Sequence, residues 1–354
     1  MTSTASAPGR ERLVDGHDLS AALAGDKRAF AALVERHRAE LHLHCYRFMG
    51  STQDAEDLVQ ETFLRAWSKR ASFQGRSTFR AWLYGIATNA SLDALRSRPR
   101  RVTPPEVTGP ADPRAEPRPA TDVAWLEPYP DRLLENVVAS GVDPEAMLIR
   151  REATELAFLA AIQHLPPRQR AVLILRDVLE WSAKETATSL DMTVASVNSA
   201  LQRARETLKR RWVRRDADRH ALSGINEAER SLLARMVDAW DRTDVTAVAT
   251  LLGADARLVM PPTPSWYDGR EAITTFLAEH AFTTRMLGRM RALATAANRQ
   301  PALGVYLRDD AGQYRPFALI VLTVEAGAIT EMTLFQIPRL FALCGLPAFL
   351  GTDL

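Results

Sequence analysis

Residues 165 to 215 carry the tightest local instructions in the chain: LPPRQRAVLILRDVLEWSAKETATSLDMTVASVNSALQRARETLKRRWVRR. Ser182 and Glu185 form a capping box, each side chain answering an orphan amide of the other's turn, so a helix is expected from Ser182 to about Leu190. Asp191 and Met192 make a tight turn, and the Thr193 hydroxyl caps a second helix. On that helix Val194, Val197, Leu201, Ala204 and Leu208 recur at helical spacing as one apolar stripe. Ala195, Ser199, Gln202 and Arg203 lie opposite, with Ser196 at the edge. Small polar residues at a helix N-terminus, with basic residues behind, suit entry into a DNA major groove. Arg205, Lys209, Arg210, Arg211, Arg214 and Arg215 then supply phosphate-seeking charge. A solvated helical hairpin with a basic end would carry the same pattern, so this stretch alone leaves both readings open.

The remaining chain narrows them. At 354 residues it has room for two or three domains with separate cores. A net charge of +2 sets up no global field toward nucleic acid, so any such affinity is local. Cys45 and Cys344 are the two cysteines, far apart and without metal-ligand spacing, which points to a reducing compartment. No stretch approaches the ~18 apolar residues of a membrane helix. Residues 1–17 lack an apolar signal core and are expected to be a disordered tail. The sequence therefore reads as a cytoplasmic protein with no membrane partner.

Residues 18–98 read as wholly helical. Phe30, Leu33, Val34, Leu41 and Tyr46 sit on periodic positions, and Gly50 ends the run. Ser51 and Asp54 start the next helix, where Ala55, Leu58, Val59, Thr62, Phe63, Ala66 and Trp67 face a core. Asp54, Asp57, Gln60, Glu61 and Arg65 form an acidic and polar ridge on its other face. After a loop from Phe73 to Ser77, Thr78 caps a helix whose buried stripe is Phe79, Leu83, Ile86 and Ala90. Arg80, Trp82, Tyr84, Asn89, Asp93 and Arg96 are expected to project elsewhere. Interleaved rings and cations suit unpaired bases and their backbone, although a lone aromatic more often packs in a core.

Three runs, DAEDLVQETFLRAW, FRAWLYGIATNASLDALRSR and the helix-turn-helix stretch, resemble an extracytoplasmic-function sigma factor of the sigma-70 family. The resemblance implies that Asp57, Gln60, Glu61 and Arg65 dock on the β′ clamp helices of RNA polymerase core, with the β flap a further contact. It implies that Trp82, Asn89 and Arg96 act at the −10 promoter element, where an extruded base needs a wall and a polar edge reader. Thr193, Ser196, Ser199, Gln202 and Arg203 would serve the −35 element. Residues 99–143 form a linker whose proline-rich part is expected to be extended and mobile. Its WLEPYP segment is too apolar for a solvated tether, because Trp125, Leu126, Tyr129, Leu133 and Leu134 need something to bury against. Residues 144–215 are the helix-turn-helix domain.

Residues 226–354 fit the subgroup carrying a fused SnoaL-like domain, a cone-shaped α+β fold. Helices are expected at 227–242, 246–252 and 269–280. Strands are expected at 256–260, 292–298, 302–308, 317–324 and 329–337, in a curved antiparallel sheet. The fold class is thus multidomain: two all-α units followed by an α+β unit. Trp266, Tyr267 and His280 are candidate pocket residues for a small-molecule ligand. No short-spaced acid–base pair or metal cluster accompanies them, so neither catalysis nor a cofactor is expected. The leading reading is an initiation factor controlled in cis by its last domain. The alternative is a DNA-binding repressor or enzyme–regulator fusion that never engages polymerase, and such a protein has no use for the acidic ridge. Charge reversal at Asp57 and Glu61 should therefore weaken pull-down of core polymerase. A chain that captures no core even before mutation would favour the repressor.

Overall fold

The computed structural model describes residues 19–75, 77–139, 155–211 and 225–351. The expected tail, residues 140–154, Arg214, Arg215 and the side chain of Arg211 lie outside the described residues.

The first domain packs α1 (Lys27–Glu35), α2 (Arg38–Met49), α3 (Thr52–Lys69) and α4 (Phe79–Ala94). Helix α2 is its axle, buried at every position from Glu40 to Met49. It ends at Gly50 in the left-handed region (φ 66°), as the sequence suggests. A side chain at Gly50 would also strike Leu126 of the linker, 2.6 Å from an added Cβ. Thr78 caps α4 through the Ala81 amide, 3.1 Å. Two expectations for these helices change. Tyr84 is buried, because its hydroxyl joins Arg80 on the buried Glu40 carboxylate. Asp54 leaves the outward ridge, because Arg98 and Arg101 hold it at 2.5 and 2.6 Å.

Next in the chain are α5 (Asp131–Ala139), α6 (Leu156–Gln163), α7 (Pro167–Leu173), α8 (Ala183–Leu190) and α9 (Val194–Arg211). A π-helical turn, Ile174–Val178, continues α7. The Ser182–Glu185 capping box is present, and Asp191 makes the turn at φ 51°. Val197, Leu201, Ala204 and Leu208 are buried as expected, but Val194, in the first turn of α9, is exposed.

The last domain opens with α10 (Glu227–Asp241) and α11 (Val245–Leu251). Strands β1 (Leu252–Val259) and β2 (Trp266–Asp268) precede α12 (Arg270–Phe276), which runs on into a π-helical turn, Leu277–Ala281. Strands β3 (Met290–Ala297), β4 (Gln300–Arg308), β5 (Tyr314–Glu325) and β6 (Ala328–Phe335) follow, then α13 (Arg339–Leu343). The sheet order is β2-β1-β6-β5-β4-β3. The expected antiparallel sheet contains one parallel pair, β1 with β6, because the chain crosses the sheet between them. Strand β2 and helix α13 are too short to show a period, and both were missed.

Both faces of this sheet are covered. Along β5, Ala318, Ile320 and Leu322 join the core under α10 and α12, while Leu319 and Val321 join the core shared with the linker and the helical domains. This alternation is the two-residue period of a strand, and burial on both faces explains the nearly continuous apolar run FALIVLTV. No helix among the described residues is long and apolar enough to cross a membrane.

Two histidines of α2 are expected to make the first domain acid-sensitive. His44 is fully buried between the rings of Phe48 and Tyr84, and burial, reinforced by Arg47, lowers its pKa to about 3. Burial likewise lowers that of His42. Both folded values lie below the unfolded value near 6.5, so the unfolded chain binds the extra protons. Their stabilisation is complete above about pH 6.5 and is lost as pH falls. The thermal unfolding midpoint should drop steadily from about pH 6.5 to about pH 4, and His44→Phe should flatten part of that slope. A wild-type midpoint constant over this interval would contradict the buried neutral state.

Candidate nucleic-acid interface

Helix α3 presents Asp57 and Gln60 to solvent, with Glu61 half-buried beside them. Arg65 folds back onto Glu61 at 2.7 Å and Asp93 at 2.9 Å, so its charge is largely spoken for. Leu64, 67% exposed, shares the face of Asp57, Gln60 and Glu61 one turn further on. It was missed. The available signal was a leucine falling outside the apolar period of its own helix.

Trp82, Asn89 and Arg96 recur every seven residues along α4 and just beyond it, a spacing that keeps them near one stripe. Their surroundings differ. Trp82 is half-buried against Phe73 and Phe79, with ring centroids 5.4 Å away in both cases. Arg96 is exposed and paired with Asp93 at 3.1 Å. The Asn89 amide donates to the Gly85 carbonyl at 2.9 Å and lies 3.5 Å from the carbonyl of Ser189 on α8. The face of α4 that carries Asn89 is therefore turned onto the helix-turn-helix domain.

Arg170 ties those two domains together. Buried on α7, it donates to the Phe48 carbonyl at the end of α2 and to both oxygens of Gln163, at 2.5 to 2.9 Å. Burial, with Arg100 nearby, lowers its pKa to about 10, so it stays charged at neutral pH. A cation seated on the carbonyl end of a helix is favoured by the helix dipole.

On α9, Thr193 accepts from the Ser196 amide at 3.1 Å, and its own hydroxyl reaches that of Ser196 at 2.9 Å. Ser196, Ser199, Gln202 and Arg203 are all exposed, as is Asn198, which sequence reasoning passed over. Gln202 donates to Glu206 at 3.0 Å. Arg205 is bound to Asp177 at 2.7 Å, which offsets its charge, whereas Lys209 and Arg210 are exposed.

The linker is extended but seated, contrary to the mobile tether expected of its prolines. Thr108, Ala111, Arg118 and Thr121 hydrogen-bond along the segment from Pro262 to Trp266, and the Trp266 indole donates to the Thr108 carbonyl at 2.8 Å. Trp125, Leu126, Tyr129 and Leu134 are buried, and Leu133 is partly so. Tyr46 of α2 donates to the Glu127 carbonyl at 2.6 Å, and Arg339 of α13 reaches the Glu127 carboxylate at 2.6 Å. Tyr129 bonds to His42 through its hydroxyl and to Asn298 through its backbone. Within the last domain Tyr267 is buried, stacked on Phe276 at 4.3 Å, and its hydroxyl has no hydrogen-bond partner. The His280 ring is 5.4 Å from that of Phe276, with Nε2 also unpartnered.

Comparison with known proteins agrees with this layout. Residues 33–101 match sigma-70 region 2, and residues 155–208 match sigma-70 region 4. The ECF RNA polymerase sigma factor SigG of Mycobacterium tuberculosis is 44% identical over 321 residues, covering 90% of this chain and 84% of that one. The chain is an extracytoplasmic-function sigma factor. Another relative, the ECF sigma factor SigW of Bacillus subtilis, is 32% identical over 187 residues, covering 52% of this chain and 90% of its own. The crystal structure of the M. tuberculosis extracytoplasmic-function sigma factor SigJ matches with a TM-score of 0.54 at 21% identity, covering 90% of this chain and 99% of that one. The shared fold thus extends through the C-terminal α+β domain. This sigma factor binds RNA polymerase core and promoter DNA and initiates transcription; it is not an enzyme in that role.

Exposed side chains that touch base edges and those that touch phosphate should separate experimentally. Gln202→Ala or Arg203→Ala should cost about 1–3 kcal/mol on a cognate −35 duplex and relax discrimination at one position. Lys209→Ala should weaken all duplexes alike and lower the salt slope by about 1. Identical behaviour of all three variants across sequences would remove the base-reading assignment.

Proposed function

We propose that the sigma factor is held in a closed form by its SnoaL-like domain, acting in cis through the linker. The observation that carries this reading is the placement of Glu127 and Tyr129, each hydrogen-bonded to region 2 on one side and to the last domain on the other. The −10 and −35 elements lie about 25 base pairs apart, or about 85 Å of duplex. Regions 2 and 4 packed through Arg170 do not span that distance. Binding both elements requires them to separate, and the linker between them must then leave the sheet.

In this reading Asp57, Gln60 and Glu61, with Leu64 beside them and Arg65 bracing Glu61, dock on the β′ clamp helices, and region 4 meets the β flap. Trp82, Asn89 and Arg96 serve the −10 element, and Thr193, Ser196, Ser199, Gln202 and Arg203 the −35 element. The functional units are residues 18–98, 99–143, 144–215 and 226–354. The last acts as a regulator rather than a catalyst, and the protein works in the cytoplasm. A ligand in that last unit, facing Tyr267 and His280, could act only through unequal affinity for the closed and open arrangements.

Truncation after Arg215 should raise promoter-dependent transcription when sigma is limiting. Glu127→Ala in the full chain should raise it partly, by removing the Arg339 contact. Equal activity of full-length and truncated proteins over a range of concentrations would end the cis-control reading.

A further inference from the structure

A cavity of about 790 Å³ opens where three separate parts of the chain meet: the α1–α3 side of region 2, the linker with α5, and α13 of the last domain. That volume falls within the range of small-molecule sites. Its walls are mainly apolar, formed by Ala39 on α2, Tyr129 and Leu133 of the linker, and Ala342 and Leu343 on α13.

Its charges are engaged within the chain, Arg36 on the wall included. Arg38 holds Glu35 and Glu56, both at 2.7 Å, and Arg339 is engaged by Glu127 at 2.6 Å. A charged ligand would therefore break an existing pair or leave its own charge uncompensated, at a desolvation cost. The Gln53 and Asn136 amides stand at the rim and can orient a carbonyl or hydroxyl. Neither Tyr267 nor His280 lines this space, so the site is distinct from the interior of the SnoaL-like cone.

We propose that this junction binds an uncharged, largely apolar small molecule carrying one or two hydrogen-bonding oxygens. The walls come from both region 2 and α13, so the complete site exists only while the two are docked. A molecule bound there stabilises the closed form by mass action: at about ten times its Kd, the open fraction falls about tenfold. This consequence, unlike the site itself, rests on the cis-control reading.

Nile red, an uncharged planar dye with a ring carbonyl, is the probe. Titrated into the full chain it should fill one saturable site with blue-shifted emission. Ala39→Trp and Ala342→Trp, which place an indole in the cavity from opposite walls, should each weaken dye binding at least tenfold while circular dichroism stays native. If one variant misfolds, the other decides. A dye that finds no saturable site, or one that binds a natively folded tryptophan variant as tightly as wild type, overturns the proposal. With the dye at about ten times its Kd, run-off transcription at limiting sigma should fall about tenfold for wild type and stay level for Ala342→Trp. Binding without that fall overturns the coupling to the closed form but leaves the site. Loss of dye binding beside an activating truncation sinks the site and leaves cis-control standing.

Discussion

The junction between the first domain, the linker and the sheet centres on the burial of Tyr129. Its hydroxyl, amide and carbonyl are out of reach of water, and each has a partner. The hydroxyl donates to Nδ1 of His42 at 2.9 Å, which assigns the proton of that imidazole to Nε2, facing the Thr52 carbonyl at 3.1 Å. The amide donates to Asn298 Oδ1 at 2.9 Å, and the carbonyl accepts from the Asn298 amide at 2.8 Å. A buried polar group left unpaired costs about 1–3 kcal/mol. Withdrawing this residue from one domain therefore exposes the other to the same penalty, and the linker is released as a unit or stays.

The sheet supplies the other half of that arrangement. Asn298 and Arg299, at φ 57° and 60°, form the two-residue turn between β3 and β4, where both central residues need a left-handed backbone. Asparagine tolerates that conformation, and here its side chain also faces the linker. Pro130 bridges to Ala297 on edge strand β3, while the Ala111 amide donates to Trp266 on the opposite edge strand, β2. One linker thus touches both edge strands of the sheet, where unpaired backbone groups are otherwise open.

The helical half is joined by charge rather than by pairing. Arg170 has carbonyl and amide oxygens around it instead of a carboxylate, so its place depends on the end of α2 staying where it is. The two candidate reading surfaces differ in their neighbours. Ser196, Ser199, Gln202 and Arg203 face solvent on α9, whereas Asn89 on α4, though exposed, also reaches the Ser189 carbonyl at 3.5 Å. With a net charge of only +2, attraction to DNA must come from such local surfaces, and Arg205 is already engaged by Asp177.

Helices, caps and turns were legible in the sequence because their causes are local. Ser182 with Glu185, Thr78, Thr193 and Gly50 each act within one turn of the residue they serve, and the runs DAEDLVQETFLRAW and FRAWLYGIATNASLDALRSR carry the family with them. The need of Trp125, Leu126 and Tyr129 for an apolar partner was equally plain, since side-chain chemistry alone demands it. The partner was not. Whether proline-rich residues 102–121 float or lie along the segment leading into β2 depends on groups about 150 residues away, and composition does not encode that pairing. The same holds for Asp54 and Tyr84, drawn inward by Arg98, Arg101 and Glu40, and for α13, too short to show a period. Sequence by itself determined the modules and the helix faces they carry; only the tertiary structure decided which of those faces meet, because long-range contact is fixed by the joint satisfaction of buried groups and not by neighbours along the chain.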